Sequence, residues 1–247
     1  MSALLRALHP APDELAGVWR ANQLARPQQA LLASGHAALD AELPGQGWPL
    51  GQLTEILQAH CGQHEWRLLL PALSAATERG VIVLVGAPHV PNLPVLTGLG
   101  VTPRRVLRID AHSPAERLWV AEQALRCREL GALLVWLPQA RSEQLRRLQL
   151  RSNAAPALVF ALRPLQARHE SSPAPLRIIV QAAPSADSTQ LSVQILKRRG
   201  PLLAQPLALD APLPVLAALK PVHSRTPEPS HAVDCPAHPR IRELAAV

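Results

Sequence analysis

Between Gly51 and Ala182, short apolar runs alternate with longer segments of helical periodicity, and this alternation limits the chain to few folds. The runs are Gln52–Leu57, Val81–Gly86, Val106–Ile109, Leu133–Leu137, Ala157–Leu162 and Leu176–Gln181. Most are apolar at successive positions rather than at every second one, as parallel strands covered on both faces require. Strands alternating with helices predict an α/β fold with a mostly parallel central sheet flanked by helices. The clearest helix start is Ser113-Pro114-Ala115-Glu116, where an N-cap serine, a proline at the first helical position and a capping-box glutamate coincide. Leu118, Val120, Ala121, Ala124, Leu125 and Leu130 extend it as an apolar stripe, and Gly131 is expected to close it. One more strand, Leu191–Leu196, leads into the basic run Lys197-Arg198-Arg199.

Three regions follow from this pattern. Residues 1–30 read as a helical lead, opened at Pro12-Asp13-Glu14-Leu15 and stopped by Pro27. Residues 31–209 hold the α/β core. Residues 210–247 form a Pro-rich tail, expected to be flexible or to fold on a partner; from 201 onward the chain carries nine of its 26 prolines. Aromatic residues make up only 2%, so Leu, Val and Ala must fill the core. The net charge of +7 comes almost wholly from arginine, since Lys197 and Lys220 are the only lysines, and it favours an acidic partner, nucleic acid or protein. Cys61, Cys127 and Cys235 are far apart and form no C-x-x-C pair, which argues against a zinc ribbon or disulfide framework. His223, His231, Cys235 and His238 fit no standard metal spacing, so no metal is expected. No apolar run of about 20 residues is present, so no spanning helix, no membrane partner and a cytoplasmic location are expected.

After the first strand comes the window Gln58-Ala59-His60-Cys61-Gly62-Gln63-His64-Glu65, followed by an amphipathic segment over Trp66–Glu78. A phosphate-binding loop at this place reads G-x-x-x-x-G-K-[ST]; its glycines let backbone N–H groups close on phosphate, its lysine neutralises charge, and its hydroxyl holds Mg²⁺. Here Gln58 and Gln63 replace the glycines, His64 replaces the lysine, and Glu65 puts a carboxylate where phosphate oxygens would lie.

Upstream stand Ser34-Gly35-His36-Ala37-Ala38-Leu39-Asp40 and Gly47-Trp48-Pro49-Leu50-Gly51; downstream stand Ala87-Pro88-His89 and Leu99-Gly100-Val101. Together with the loop they resemble the core of RecA-family recombinases, which implies a RecA-like P-loop NTPase fold with a degenerate nucleotide site. The resemblance puts Pro88 where the family has the glutamate that polarises water, and Leu137 where an aspartate orients Mg²⁺. Losing the lysine, the metal ligands and the base together predicts no catalytic residues, no cofactor and no ATPase activity. Leu68-Leu69-Leu70-Pro71-Ala72-Leu73, Gly100-Val101-Thr102-Pro103, Gly131-Ala132-Leu133-Leu134-Val135-Trp136-Leu137-Pro138, Phe160-Ala161-Leu162-Arg163-Pro164 and Ile195–Pro201 are similar to the ImuA family, from about Val18 to Leu209. That family serves SOS-induced translesion DNA synthesis without catalysis. The resemblance implies RecA, ImuB and an error-prone C-family polymerase as partners, and a cytoplasmic, nucleoid-associated place after DNA damage. Leu68–Arg163 also resembles SulA, the SOS division inhibitor, which lacks the Ser34–Glu55 stretch. Residual ATPase activity and plain DNA binding compete with both resemblances.

Two basic groups stand out. Lys197 and Arg199, with Arg198 between them, match positions that reach a neighbouring subunit in recombinase filaments, and capping of such a filament competes with a solvated strand end or a DNA backbone contact. Arg141, Arg146, Arg147 and Arg151 fall on one helix, where a solvated face competes with single-stranded DNA; no aromatic is interleaved with them to stack on bases. Cys61 reads as a small loop residue rather than a nucleophile. Trp19 and Trp48 are expected near a protein interface.

Overall fold

The computed structural model describes residues 30–184 and 189–212. The helical lead with Trp19, most of the Pro-rich tail, and the four residues His223, His231, Cys235 and His238 lie outside them. A two-stranded antiparallel ribbon, β1 (Leu31–Leu32) with β2 (Trp48–Pro49), carries the short helix α1 (Ala37–Glu42) between its strands. Its turns depend on local chemistry. The Asp40 carboxylate accepts the Ser34 N–H at 2.8 Å, and Gly35, at φ +82°, packs so tightly on Pro71 that a side chain would overlap it.

The main sheet takes β3 (Leu53–Gln58), β4 (Val81–Val85), β5 (Val106–Ile109), β6 (Leu130–Trp136), β7 (Leu158–Pro164), β8 (Leu176–Ala182), β9 (Gln190–Lys197) and β10 (Leu207–Asp210). Their order is β10-β9-β8-β3-β7-β6-β4-β5. The six strands from β8 to β5 run parallel, while β9 and β10 return antiparallel along one edge. The expected mixed α/β architecture with a mostly parallel sheet is therefore present. Every residue of β3 and β6 is buried, as expected of central parallel strands covered on both faces.

Two apolar layers flank the sheet. On one side Ile56, Leu84, Leu134 and Phe160 meet α1, α2 (Glu65–Arg79) and α3 (Leu93–Gly98). On the other, Leu53, Val83, Leu133 and Val159 meet α4 (Pro114–Ala124) and α5 (Ser142–Ser152). Trp48, expected at an interface, is instead fully buried, with its ring edge-on to Phe160 at 5.3 Å and 85°. A protein so poor in aromatics spends this one on the core under β7.

The Ser113 cap forms as the sequence predicts: its hydroxyl accepts the Glu116 N–H, and the Glu116 carboxylate accepts the Ser113 N–H. The far end of α4 differs. The helix stops at Ala124, the chain turns through i to i−3 bonds of Arg126 and Cys127, and Leu130 and Gly131 begin β6. Gly131 is small for another reason than closing a helix: a Cβ there would press on the backbone of Ala76 and Gly80 at the end of α2. Leu207–Asp210 packs on the core through β10, with Leu209 buried against it.

Candidate functional site

The loop window lies at the carboxyl end of β3, and Gln58 is the last strand residue rather than the first of the loop. The backbone turns at Gly62 with φ +93°, a left-handed conformation that glycine tolerates, and α2 starts at Glu65. The Glu65 side chain folds back on this turn. Its Oε1 accepts the Gly62 N–H at 2.6 Å and the Trp136 indole N–H at 3.3 Å; its Oε2 accepts the His64 N–H at 3.1 Å. The carboxylate is fully buried. Converging backbone N–H groups before a 15-residue helix make an anion-binding concavity, and here the anion is the chain's own.

The other loop residues surround that core. Gln63 is exposed and Gly62 half-buried. Gln58 is fully buried, and neither of its amide atoms has a partner among the described residues. His64 is half-buried with Nδ1 unpartnered; burial holds its ring below the usual histidine range, Arg67 adds to this, and Glu65 opposes it. Burial also pushes the Cys61 thiol up, Glu65 pushes it further, and Arg117 pulls it back, so the thiol stays protonated and a poor nucleophile.

Beside the loop the sheet has a topological switch. The connection leaving β4 runs outward to β5, whereas that leaving neighbouring β6 runs back to β7. Such divergence opens a crevice at the carboxyl ends of parallel strands. Pro88 and Trp136 divide it into two chambers. One, of about 260 Å³, is lined by Trp66, Val90, Pro91, Val95 and Leu96, with Glu65 in its wall. The other, of about 380 Å³, is mixed in character and carries Arg108, Asp110, His112, Arg117 and Cys61 in its wall. Arg117 is spent partly on structure, donating to the carbonyls of Ala111 at 2.9 Å and Trp136 at 3.0 Å. Arg108 pairs with Asp110 at 2.7 Å. Thus Pro88 stands in the crevice, and Leu137 follows β6 with its N–H donated to Leu162. Neither offers a group that moves a proton or binds a metal.

A second buried cluster carries no motif in the sequence. Glu55, in the middle of β3, has no exposure, and its two oxygens each meet an arginine at 2.7 Å: Arg163 at the end of β7 and Arg177 in β8. Arg163 also reaches Glu170 at 2.7 Å, and both guanidiniums bond backbone carbonyls, Arg163 that of Ala140 and Arg177 that of Ala167. The only signal for it is a glutamate inside an apolar strand, with single arginines in two other apolar runs.

The basic run at the end of β9 divides. Lys197 is exposed and donates to the Ser172 carbonyl at 2.9 Å; Arg199 is exposed. Arg198 is used internally, bonding the backbone and carboxylate of Glu42 and the Pro201 carbonyl. Arg198 is thus a brace between α1 and the strand end rather than a contact surface. Arg146, Arg147 and Arg151 project from α5 and Arg141 caps it, all exposed. The structure does not bring these near the loop: they lie on the α4–α5 side of the sheet.

No known protein-family model matches the chain, and no curated protein matches it. Among the described residues, no helix is long and apolar enough to cross a membrane.

Proposed function

We propose that this chain is a RecA-like protein of the ImuA type: a non-catalytic adaptor of SOS-induced translesion DNA synthesis that works with RecA, an ImuB-type partner and an error-prone C-family polymerase in the cytoplasm, at the nucleoid. The observation that carries the reading is the Glu65 carboxylate. It takes up the Gly62 and His64 N–H groups that a bound phosphate would need, at 2.6 and 3.1 Å. A phosphate entering there would have to displace a buried, hydrogen-bonded charge of its own sign, at a cost of several kcal/mol. The strand–loop–helix order of β3 and α2 supports descent from a nucleotide-binding fold. Loss of the lysine, base and metal-ligand positions at His64, Pro88 and Leu137 supports loss of turnover.

With its own site closed, such a protein works through its surfaces. Lys197 and Arg199 flank the internally braced Arg198 and both face solvent, so they are the residues available to a recombinase neighbour. The test is co-sedimentation with RecA filaments, alongside calorimetry with Mg·ATP. The reading expects filament binding, no ATP heat and no phosphate release, with binding reduced by the Lys197→Glu/Arg199→Glu pair. Tight Mg·ATP binding or DNA-stimulated turnover overturns the non-catalytic assignment. Unchanged filament binding by the double variant overturns the role given to Lys197 and Arg199.

A further inference from the structure

Helices α4 and α5 precede and follow β6 on the same side of the sheet, so they run parallel to each other and their carboxyl ends lie together. They are joined inside by Leu118, Ala121, Leu125, Leu145 and Leu148, and outside by the Arg147 Nε–Glu122 pair at 2.5 Å. Trp119 lies one helical turn before Glu122 and therefore on the same stripe of α4. It is 62% exposed, a large departure for the bulkiest apolar side chain in a chain with so few aromatics. The aromatic missing from the sequence of the arginine helix is thus supplied by its neighbour.

Positive charge predominates on this face, with exposed Arg141 also standing at the start of α5. The acidic groups Glu116 and Glu143 sit in the first turns of α4 and α5, where the helix dipole favours them. Arg146 and Arg147 follow in the middle of α5, and Arg151 near its end lies with Arg126 and Arg128 after α4, all exposed. Against these five stand only Glu129 and the nearly buried Glu122, which Arg147 already answers. Arg126, Arg128, Arg146 and Arg151 have no ion pair among the described residues. Exposed Leu150 completes an apolar spot within the basic field.

We infer that the Trp119–Arg147–Arg151 face of α4 and α5 binds single-stranded nucleic acid, with a base stacked on the Trp119 indole and the backbone phosphates held by the arginines. An exposed aromatic in a positive field is the combination that single strands use, because every base offers a π-face and every linkage a charge. A duplex hides its base faces and meets only the arginines. An acidic protein segment likewise satisfies the arginines and leaves Trp119 without a counterpart. The inference does not rest on the adaptor role: single strands can bind here whether or not the protein grips a recombinase.

The experiment is fluorescence anisotropy of a labelled oligothymidylate with the full-length protein, over a range of salt concentrations. Trp119→Ala is expected to weaken binding roughly tenfold, and Trp119→Phe, which keeps a stacking ring, to stay within about threefold. The Arg147→Gln/Arg151→Gln pair is expected to lower the log–log salt slope by about 1.4, from two lost phosphate contacts at about 0.7 each. Thermal unfolding of each variant monitors folding, and all three sites are exposed. Wild-type affinity in Trp119→Ala overturns the proposal. So does equal loss in the Ala and Phe variants, duplex binding as tight as single-strand binding, or displacement of the oligonucleotide by polyglutamate at matched charge.

Discussion

Replacing Glu65 with alanine tests the central observation, because the carboxylate has a definite set of obligations. The substitution strands three donors: the N–H groups of half-buried Gly62 and His64 and the buried indole N–H of Trp136. Hydrogen bonds to a charged acceptor contribute about 1.5–3 kcal/mol each, so the two backbone bonds together hold roughly 3–6 kcal/mol. The Trp136 bond, at 3.3 Å, adds less. Two effects offset the loss. The native state no longer buries a charge, and the adjacent chamber of about 260 Å³ lets water reach the freed donors. The net expectation is a loss of about 2–4 kcal/mol, or a fall in Tm of roughly 5–15 °C at 2–4 °C per kcal/mol for a domain of this size.

An emptied anion concavity should accept an external anion, so sulfate or phosphate should restore stability to Glu65→Ala and not to the wild type. An anion with a dissociation constant of about 10 mM, present at about 100 mM, returns about 1.4 kcal/mol by mass action. Calorimetric scans at matched ionic strength, with chloride as reference, separate this from general salt effects. If the variant melts with the wild type, or if sulfate stabilises both equally, Glu65 is not an internal substitute for phosphate, and the account of the closed loop fails.

Three further outcomes follow from the same structure. Glu55→Gln leaves Arg163 and Arg177 without their shared buried counter-charge and is expected to cost about 3–5 kcal/mol, read as a shift of the denaturation midpoint at unchanged slope. His64 has its folded pKa held below the unfolded value, chiefly by burial. The unfolded chain therefore takes up that proton first; stability is intact above about pH 6.5 and declines as pH falls from there toward the folded value, a decline that His64→Gln should remove from a pH series of melts. Glu116 is likewise held low, first by the Ser113 N–H and then by that of His112. Its contribution is present above about pH 4.3 and lost as acid protonates it, so Glu116→Gln should converge with the wild type in the acid limb of that series.

Much of the fold is legible in the sequence because its signals are local. Mainly apolar runs mark all six parallel strands, and the Ser113–Glu116 cap marks α4 almost to the residue. The errors fall where a local rule meets a long-range contact. Gly131 reads as a helix terminator, yet it is small because the end of α2 crosses β6 there, a contact some 50 residues distant. Trp48 reads as an interface anchor in a chain with few aromatics; its edge-on packing against Phe160 is set by strand order, which periodicity does not encode. Arg198 stands between Lys197 and Arg199 as a further candidate contact until its bonds to Glu42 turn it inward.

The same limit governs what is visible at the site. Glu65 can be located at the phosphate position from motif spacing alone, because a loop and its following helix are contiguous. That its oxygens close on Gly62, His64 and Trp136 needs the turn at Gly62 and the approach of β6, two strands away. Glu55 escapes notice because a single glutamate in an apolar run looks like a blemish; its arginines come from β7 and β8, 108 and 122 residues later. The two carboxylates show one principle acting twice on β3 and its loop. A buried negative charge persists where the fold delivers donors to both of its oxygens, guanidiniums in one case and backbone and indole N–H groups in the other. What separates them is the origin of the donors. Those of Glu55 are side chains brought by neighbouring strands, so removing the acid leaves unanswered charge. Those of Glu65 are mainly the loop's own backbone, which would remain poised for any anion, and for that reason the rescue by sulfate belongs to Glu65 alone.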